Sequence, residues 1–369
     1  MKTKIRLLAL SLMAAAATYG APFMAVGNGA ELFLTGTLGV RVDDNVYLSD
    51  NKVDDVIFDI NPGFNLVFGK GSVTQGEFSY TENFSRYSQN SGLDTELSSV
   101  RFNSNYDDGK TTFAVNASFN QLNQNTVDVR NANVLQRRDV LAFGLKGESS
   151  VSAKSKVGGG LDYNNTNYKR AGNTDLKTFT VPVNYYYAVS EKVDISLGLR
   201  YRNSDLKGGN DSKDMAYRLG ARGEFSPKVT GSVAVGFGTR DFDNSGSEDM
   251  IDLDAKLDIA MTPKSMLQLT ASNDFGNSAS GQEQKNFSLG SNISSKVSDQ
   301  LSLRGGVSFR NIDYYTRKDD YVEFQFSSTY IVSQMTNIVG SVAYRKNSSE
   351  LAGGDFNNTV FSLAANFRY

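Results

Sequence analysis

Val56, Phe58, Ile60, Phe64, Leu66 and Phe68 share one parity along a single stretch of chain, and Asp55, Asp59, Asn61, Gly63 and Asn65 share the other. A period of two sends successive side chains to opposite faces of a strand, whereas a helical period near 3.6 would mix the two sets. The same unit recurs to the last residue. Its apolar faces run through Leu32-Leu34-Leu38-Val40, Phe113-Val115-Phe119, Val193-Ile195-Leu197-Leu199-Tyr201, Ile251-Leu253-Leu257-Ile259 and Phe361-Leu363-Phe367-Tyr369, and counting every such unit gives eighteen strands.

The connections alternate in length. Gly69-Lys70-Gly71-Ser72, Asp107-Asp108-Gly109-Lys110, Ser226-Pro227-Lys228 and Thr262-Pro263-Lys264 are tight, and between them lie longer polar segments such as Ser49 to Asp54, Gln121 to Arg137, Asn164 to Asp175 and Tyr344 to Asn358. Short turns on one rim and long loops on the other predict an all-β fold, a transmembrane antiparallel up-and-down β-barrel of about 18 strands. A soluble sandwich would show a similar apolar face, but at this length it should break into domains with linkers, and no such seam interrupts the rhythm. A β-solenoid would repeat with near-identical rungs, and these units vary. Pro62 and Pro182 each remove a ladder donor, so both are expected at bulges or rim positions.

Composition sharpens this picture. From Glu31 onward no run of about 18 apolar residues exists, so no transmembrane helix is expected. Hydrophobic residues make up 39 % of the chain, as expected where only the lipid face must be apolar. The 369 residues include no His, Cys or Trp. That excludes His-based general base catalysis, thiolate or imidazole metal sites and disulfides, so neither an enzyme nor a cofactor is expected. Lys2, Lys4 and Arg6 followed by the apolar Leu7–Ala17 read as a signal peptide over 1–20, leaving 21–30 as a short periplasmic segment and 31–369 as the barrel. The acidic balance that remains carries no nucleic-acid footprint.

In a barrel the polar parity lines the interior. It contains Arg101, Arg200, Arg202, Arg218, Arg222 and Arg304, together with Asp252, Asp254 and Asp258. The four arginines from Arg200 to Arg222 fall on adjacent strands as a basic ladder and the three aspartates form an acidic stretch. Two arrangements follow: opposed walls that set a transverse field across a constriction, or cross-strand pairs that stabilise the wall. Tyr186 and Phe33 are the inward aromatics. The Gly158-Gly159-Gly160 run precedes no helix, so it reads as a thin place in the wall where a neighbouring side chain packs. The acidic loop Asp241–Asp249 lacks the spacing of a calcium hand and reads as a soluble turn.

The N-terminal strands carry Asp43-Asp44-Asn45-Val46-Tyr47, then Asp55, Asp59 and Asn61-Pro62-Gly63-Phe64, then Tyr80, Arg86-Tyr87 and Leu93-Asp94. This order resembles the β-barrel porin family of outer-membrane proteins associated with exopolysaccharide gene clusters. The resemblance implies a barrel in the cell outer membrane that passes a secreted polysaccharide, with lipid, periplasmic export components and the polymer as partners. The terminal aromatic Tyr369 resembles the signal read by the barrel-insertion machinery. A general diffusion porin for small hydrophilic solutes is the alternative, and it would draw a long loop into the lumen. The Gln121 to Arg137 connection is the candidate for that loop.

Overall fold

The computed structural model describes residues 22–27, 29–129, 133–243, 246–314 and 316–369. The expected signal peptide lies outside the described residues. A three-residue strand, β1 (Met24–Val26), folds back on the start of β2 (Ala30–Asp43), pairing Met24 with Leu32. The chain then runs through β3 (Asp55–Phe68), β4 (Thr74–Tyr87), β5 (Thr95–Asp107), β6 (Thr111–Asn123), β7 (Arg137–Ser150), β8 (Ser155–Tyr168), β9 (Leu176–Ala188) and β10 (Val193–Leu206). It continues through β11 (Ser212–Ser226), β12 (Val229–Phe242), β13 (Ser247–Thr262), β14 (Ser265–Asn277), β15 (Glu283–Lys296), β16 (Leu301–Asp313), β17 (Lys318–Ile331), β18 (Thr336–Ser349) and β19 (Phe356–Arg368).

Each strand from β2 to β19 pairs antiparallel with the next, and β19 pairs with β2 through Leu363↔Val40 and Ala365↔Leu38, so the sheet closes with 18 strands as the rhythm predicts. Closure leaves no unpaired edge, which is what hydrocarbon demands of a β-structure. Strands of 14 residues such as β3, rising ~3.3 Å per residue and tilted ~40°, stand about 35 Å tall, enough to cross an apolar band of about 25 Å.

The apolar parity faces outward. Phe58 is 51 % exposed and Leu197 63 %; Phe58 lies opposite Val40 on one side and Arg86 on the other, and Leu197 lies between Leu219 and Tyr185. Outward aromatics collect at two levels. Phe179, Tyr201, Tyr217, Phe237 and Tyr344 sit toward the long-loop rim, and Tyr187, Phe113, Tyr330 and Phe367 sit toward the short-turn rim. Amphipathic rings at two heights mark the two membrane–water boundaries.

Both prolines depart from expectation. Pro62 lies mid-strand opposite Gly36, Pro182 lies mid-strand opposite Arg200, and neither shifts the register. Each removes donors from one side only. The β3–β4 ladder passes from Ile60↔Phe84 to Gly63↔Thr81, and the β8–β9 ladder from Gly159↔Val183 to Asp162↔Thr180, each resuming at the same offset. A closed wall absorbs a missing donor when the other neighbour stays bonded. The bulges occur between Glu224 and Ser226 and between Ala260 and Thr262, beside the Pro227 and Pro263 turns.

Candidate functional site: the lumen

The register gives the inner face directly. Asp214 on β11 lies opposite Arg202 on β10 and opposite Arg240 on β12, so all three point the same way. Arg200 donates to Asp252 at 2.8 Å and to Asp274 at 2.7 Å, and Arg218 donates to Asp252 at 2.9 Å. Arg202 binds Asp214 and Asp274, and Arg240 donates to Asp214 at 2.6 and 2.9 Å. Arg240 is 0 % exposed and Asp252 0 % exposed. Buried charges persist only when paired and hydrogen-bonded, and this lattice of four guanidiniums and three carboxylates meets that condition.

The lattice also mends the wall. The β13–β14 ladder stops at Leu253↔Asn273, although β13 continues to Ser247 and β14 to Asn277. Past that point two guanidiniums reach the β14 backbone. Arg202 donates to the Phe275 carbonyl at 2.9 Å and Arg240 to the Gly276 carbonyl at 2.9 Å. Phe275 carries the outward parity of its strand, yet it is buried beneath Arg240, whose guanidinium carbon lies 4.9 Å from the ring centre.

Above this lattice the long loops turn inward. Residues 124–129 reach toward the opposite wall, where Arg310 on β16 donates to Asp128 at 2.6 and 2.9 Å. Asn125 donates to the Tyr47 carbonyl at 2.8 Å, Ala279 N to the Asp128 carbonyl at 3.3 Å, and Asn173 to Gln136 at 2.6 Å. Leu48, Leu135, Leu206, Phe275, Ile312 and Phe356 are buried toward this end of the barrel. Burial pushes the Tyr314 hydroxyl above its ordinary pKa, with the Asp128 and Asp319 carboxylates adding to the rise. A cavity of about 380 Å³ remains among these loops, lined by Leu48, Asp128, Asn173, Ala279, Tyr314 and Leu351.

A family profile described as "Putative beta-barrel porin 2" matches residues 206–369. No curated protein matches the chain. Among solved structures, the fold is similar to that of Pseudomonas aeruginosa OccK2 (OpdF), with a TM-score of 0.50 and 9% identity over 92% of this chain and 97% of that one. OccK2 (OpdF) in complex with glucuronate (TM-score 0.50, 9% identity, 92% and 98% covered) and Pseudomonas aeruginosa OccK9 (OpdG) (TM-score 0.50, 9% identity, 92% and 98% covered) are alike to the same degree. The chain has the closed-barrel fold of these outer-membrane porins, and its place is the outer membrane. The porin resemblance read from the first strands holds, although the matched residues lie in the second half. The short-turn rim, which carries both β1 and the end of β19, is therefore the periplasmic one, and the long-loop rim is extracellular.

Of the two arrangements open for the barrel's charges, the structure forms the cross-strand pairs. Arg200, Arg202 and Arg218 stand on the same wall as Asp252 and hold it or its neighbours, because β10 to β14 are consecutive strands. Arg222 lies lower, donating to Glu148 at 2.7 and 2.8 Å and to Asp194 at 3.1 Å. Asp258 accepts from Gln268 at 2.8 Å, while Asp254, Arg101 and Arg304 are exposed on the inner parity. Asp214, Asp274, Arg240 and Asp128 complete the network and were not singled out from sequence. Aligning the β10–β11 and β11–β12 hairpins would have set Asp214 level with Arg202 and Arg240; nothing local points to Asp128.

Both aromatics expected inward from the sequence are covered, while Tyr87, Tyr168 and Tyr321 share the inner parity near the long-loop rim. The Arg222 guanidinium lies 3.4 Å over Tyr186, and Arg368 lies 4.0 Å over Phe33. Gly158 gives Tyr186 its place, since a Cβ there would come within 3.1 Å of the ring. The glycine run is thus the thin place expected. In the acidic loop, Asp243 takes Lys213 at 3.2 Å and Asp249 takes the Thr239 hydroxyl at 2.7 Å.

Proposed function

We propose that this porin barrel is a water-filled pore for small hydrophilic solutes, narrowed at its extracellular end by inward loops. The observation that carries the reading is the contrast in bore. Inner-face side chains such as Arg101, Asn103 and Asn105 on β5 and Arg304 and Ser308 on β16 are exposed within the barrel, while the loop carrying Asp128 is tied to the opposite wall by Arg310. Eighteen strands enclose more space than side chains fill, so loops set the passage. In this reading Arg101, Arg304 and Asp254 line the open part of the pore. Arg200, Arg202, Arg218, Arg222, Asp252 and Asp258 line it as a paired wall.

An export conduit for a polysaccharide, implied by the resemblance of the first strands, would need flat ring faces or a wide exit. Tyr186 and Phe33 carry arginines on their exposed faces, other inner-parity rings such as Tyr87, Tyr168 and Tyr321 stand at the loop-side ends of their strands, and the exit is crowded by loops. The small-solute reading is therefore preferred, with residues 1–20 as its export signal and Tyr369 presented to the insertion machinery. Reconstitution into planar bilayers tests it: the reading predicts discrete conductance steps that grow when Arg310→Ala frees the loop. A protein that inserts but passes no current in either form contradicts it. Deleting the gene and finding surface polysaccharide lost would restore the export reading.

A further inference from the structure

Below the charged lattice the inner wall follows a repeated device. Asn116 lies directly opposite Gly144, Asn184 opposite Gly198, Ser196 opposite Gly220, Thr270 opposite Gly290, and Asn292 opposite Gly306. In each pair the polar side chain lies flat over its glycine. A Cβ on Gly144, Gly198 or Gly290 would come within 2.5 Å of the Asn116, Asn184 or Thr270 oxygen, one on Gly220 within 2.7 Å of the Ser196 hydroxyl, and one on Gly306 would strike the Asn292 amide. The pairs fall near mid-height on β6–β7, β9–β11 and β14–β16. A side chain folded onto a bare neighbour occupies little bore, so the wall is as thin there as a sheet permits. Each of the five pairs also presents uncharged donors and acceptors.

These groups are available. Among the described residues the amides of Asn103, Asn105, Asn116, Asn184 and Asn292 make no hydrogen bond to protein, unlike the guanidiniums above them. The candidate ladder offers little charge to a passing ion, since Arg200, Arg202, Arg218 and Arg222 each hold a carboxylate, and the exposed charges of the open part, Arg101, Arg304 and Asp254, are of both signs. A free guanidinium captures an anion, whereas a paired one has its field largely cancelled. Neutral amides and hydroxyls exchange hydrogen bonds with hydroxylated solutes as readily as with water, with no charge to desolvate.

Resting on the pore reading, we infer that the amide-over-glycine belt selects uncharged polyhydroxylated solutes, of the size and chemistry of a simple sugar, over their anionic and cationic counterparts. The test compares glucose, glucuronate and glucosamine in swelling of proteoliposomes holding the full barrel, alongside the zero-current potential in a KCl gradient. Glucose should enter fastest, and the zero-current potential should stay near zero. Asn184→Asp and Asn292→Asp should turn the pore toward cations and slow glucuronate further, with heat-modifiable migration confirming that both variants fold. Faster entry of glucuronate than of glucose, or folded Asp variants with unchanged ion preference, would overturn the inference and leave the pore standing. No swelling with any of the three sugars would remove the pore reading itself, and this inference with it.

Discussion

The extracellular and periplasmic halves of the lumen are built from the same strands and the same parity, yet they differ in how their polar groups are used. Above mid-height nearly every inward group is engaged. Arg240, Asp252, Gln284, Asp319 and Asn358 are buried, and Asp55 alone accepts from Ser88, Gln89 and Asn90. Below mid-height Asn116, Asn184 and Asn292 lie on glycines and face water, and the charges there are fewer, chiefly the Arg222 pairs with Glu148 and Asp194. The difference teaches that polarity on the inner face is no single signal. Where loops exclude water, charge must be matched by charge or the fold fails. Where water remains, neutral groups suffice and the space is kept for solute.

Removing a member of the upper lattice should have the largest effect. Arg240→Ala leaves Asp214 and the Gly276 carbonyl buried without their donor, and should cost about 3–5 kcal/mol of barrel stability, read as an earlier midpoint in guanidinium unfolding from lipid. Asp128→Ala breaks a half-exposed pair and should cost about 1 kcal/mol. Its main readouts are faster proteolysis within 124–136 and a larger conductance. Asn184→Ala in the lower half should stay within about 0.5 kcal/mol of the parent in the same unfolding assay; equal losses for Asn184→Ala and Arg240→Ala would erase the contrast between the halves.

The smallest effect lies outside the membrane. Asp108 in the β5–β6 turn accepts from Thr111 N at 2.7 Å and Lys110 N at 2.9 Å, and these bonds hold its carboxyl below the ordinary carboxylate pKa. A group depressed by folding stabilises above its unfolded pKa and loses that contribution as pH falls through the folded value. Protection of the Lys110 and Thr111 amides, measured against their intrinsic exchange rates, should therefore fall on acidification into that window, with that of the barrel strands unchanged.

Much of this fold was legible because lipid enforces a strict period of two. Val56 to Phe68 could not satisfy both solvents in any other geometry, and the turn chemistry of Asp107-Asp108-Gly109-Lys110 set where strands end. The inner face was legible only as a list of residues, because parity says which side a group occupies and not how high it sits relative to its neighbours. Asp128 and Arg310 are 182 residues apart in sequence, joined only once the barrel has closed. Phe275 breaks the parity rule because its ladder ends early and arginines reach the backbone there. The prolines misled for a related reason: a strand bonded on both sides tolerates the loss of one.

The central claim is that one parity touches hydrocarbon and the other touches water, and the chain, with no cysteine of its own, permits a direct measurement. Single substitutions Leu197→Cys and Leu219→Cys on the outer face, and Asn116→Cys and Asn184→Cys on the inner face, are each exposed to a small water-soluble maleimide in intact proteoliposomes. The account predicts rapid labelling at Asn116→Cys and Asn184→Cys and protection at the two leucine positions. Labelling at the leucine positions with protection of the asparagine positions would contradict it.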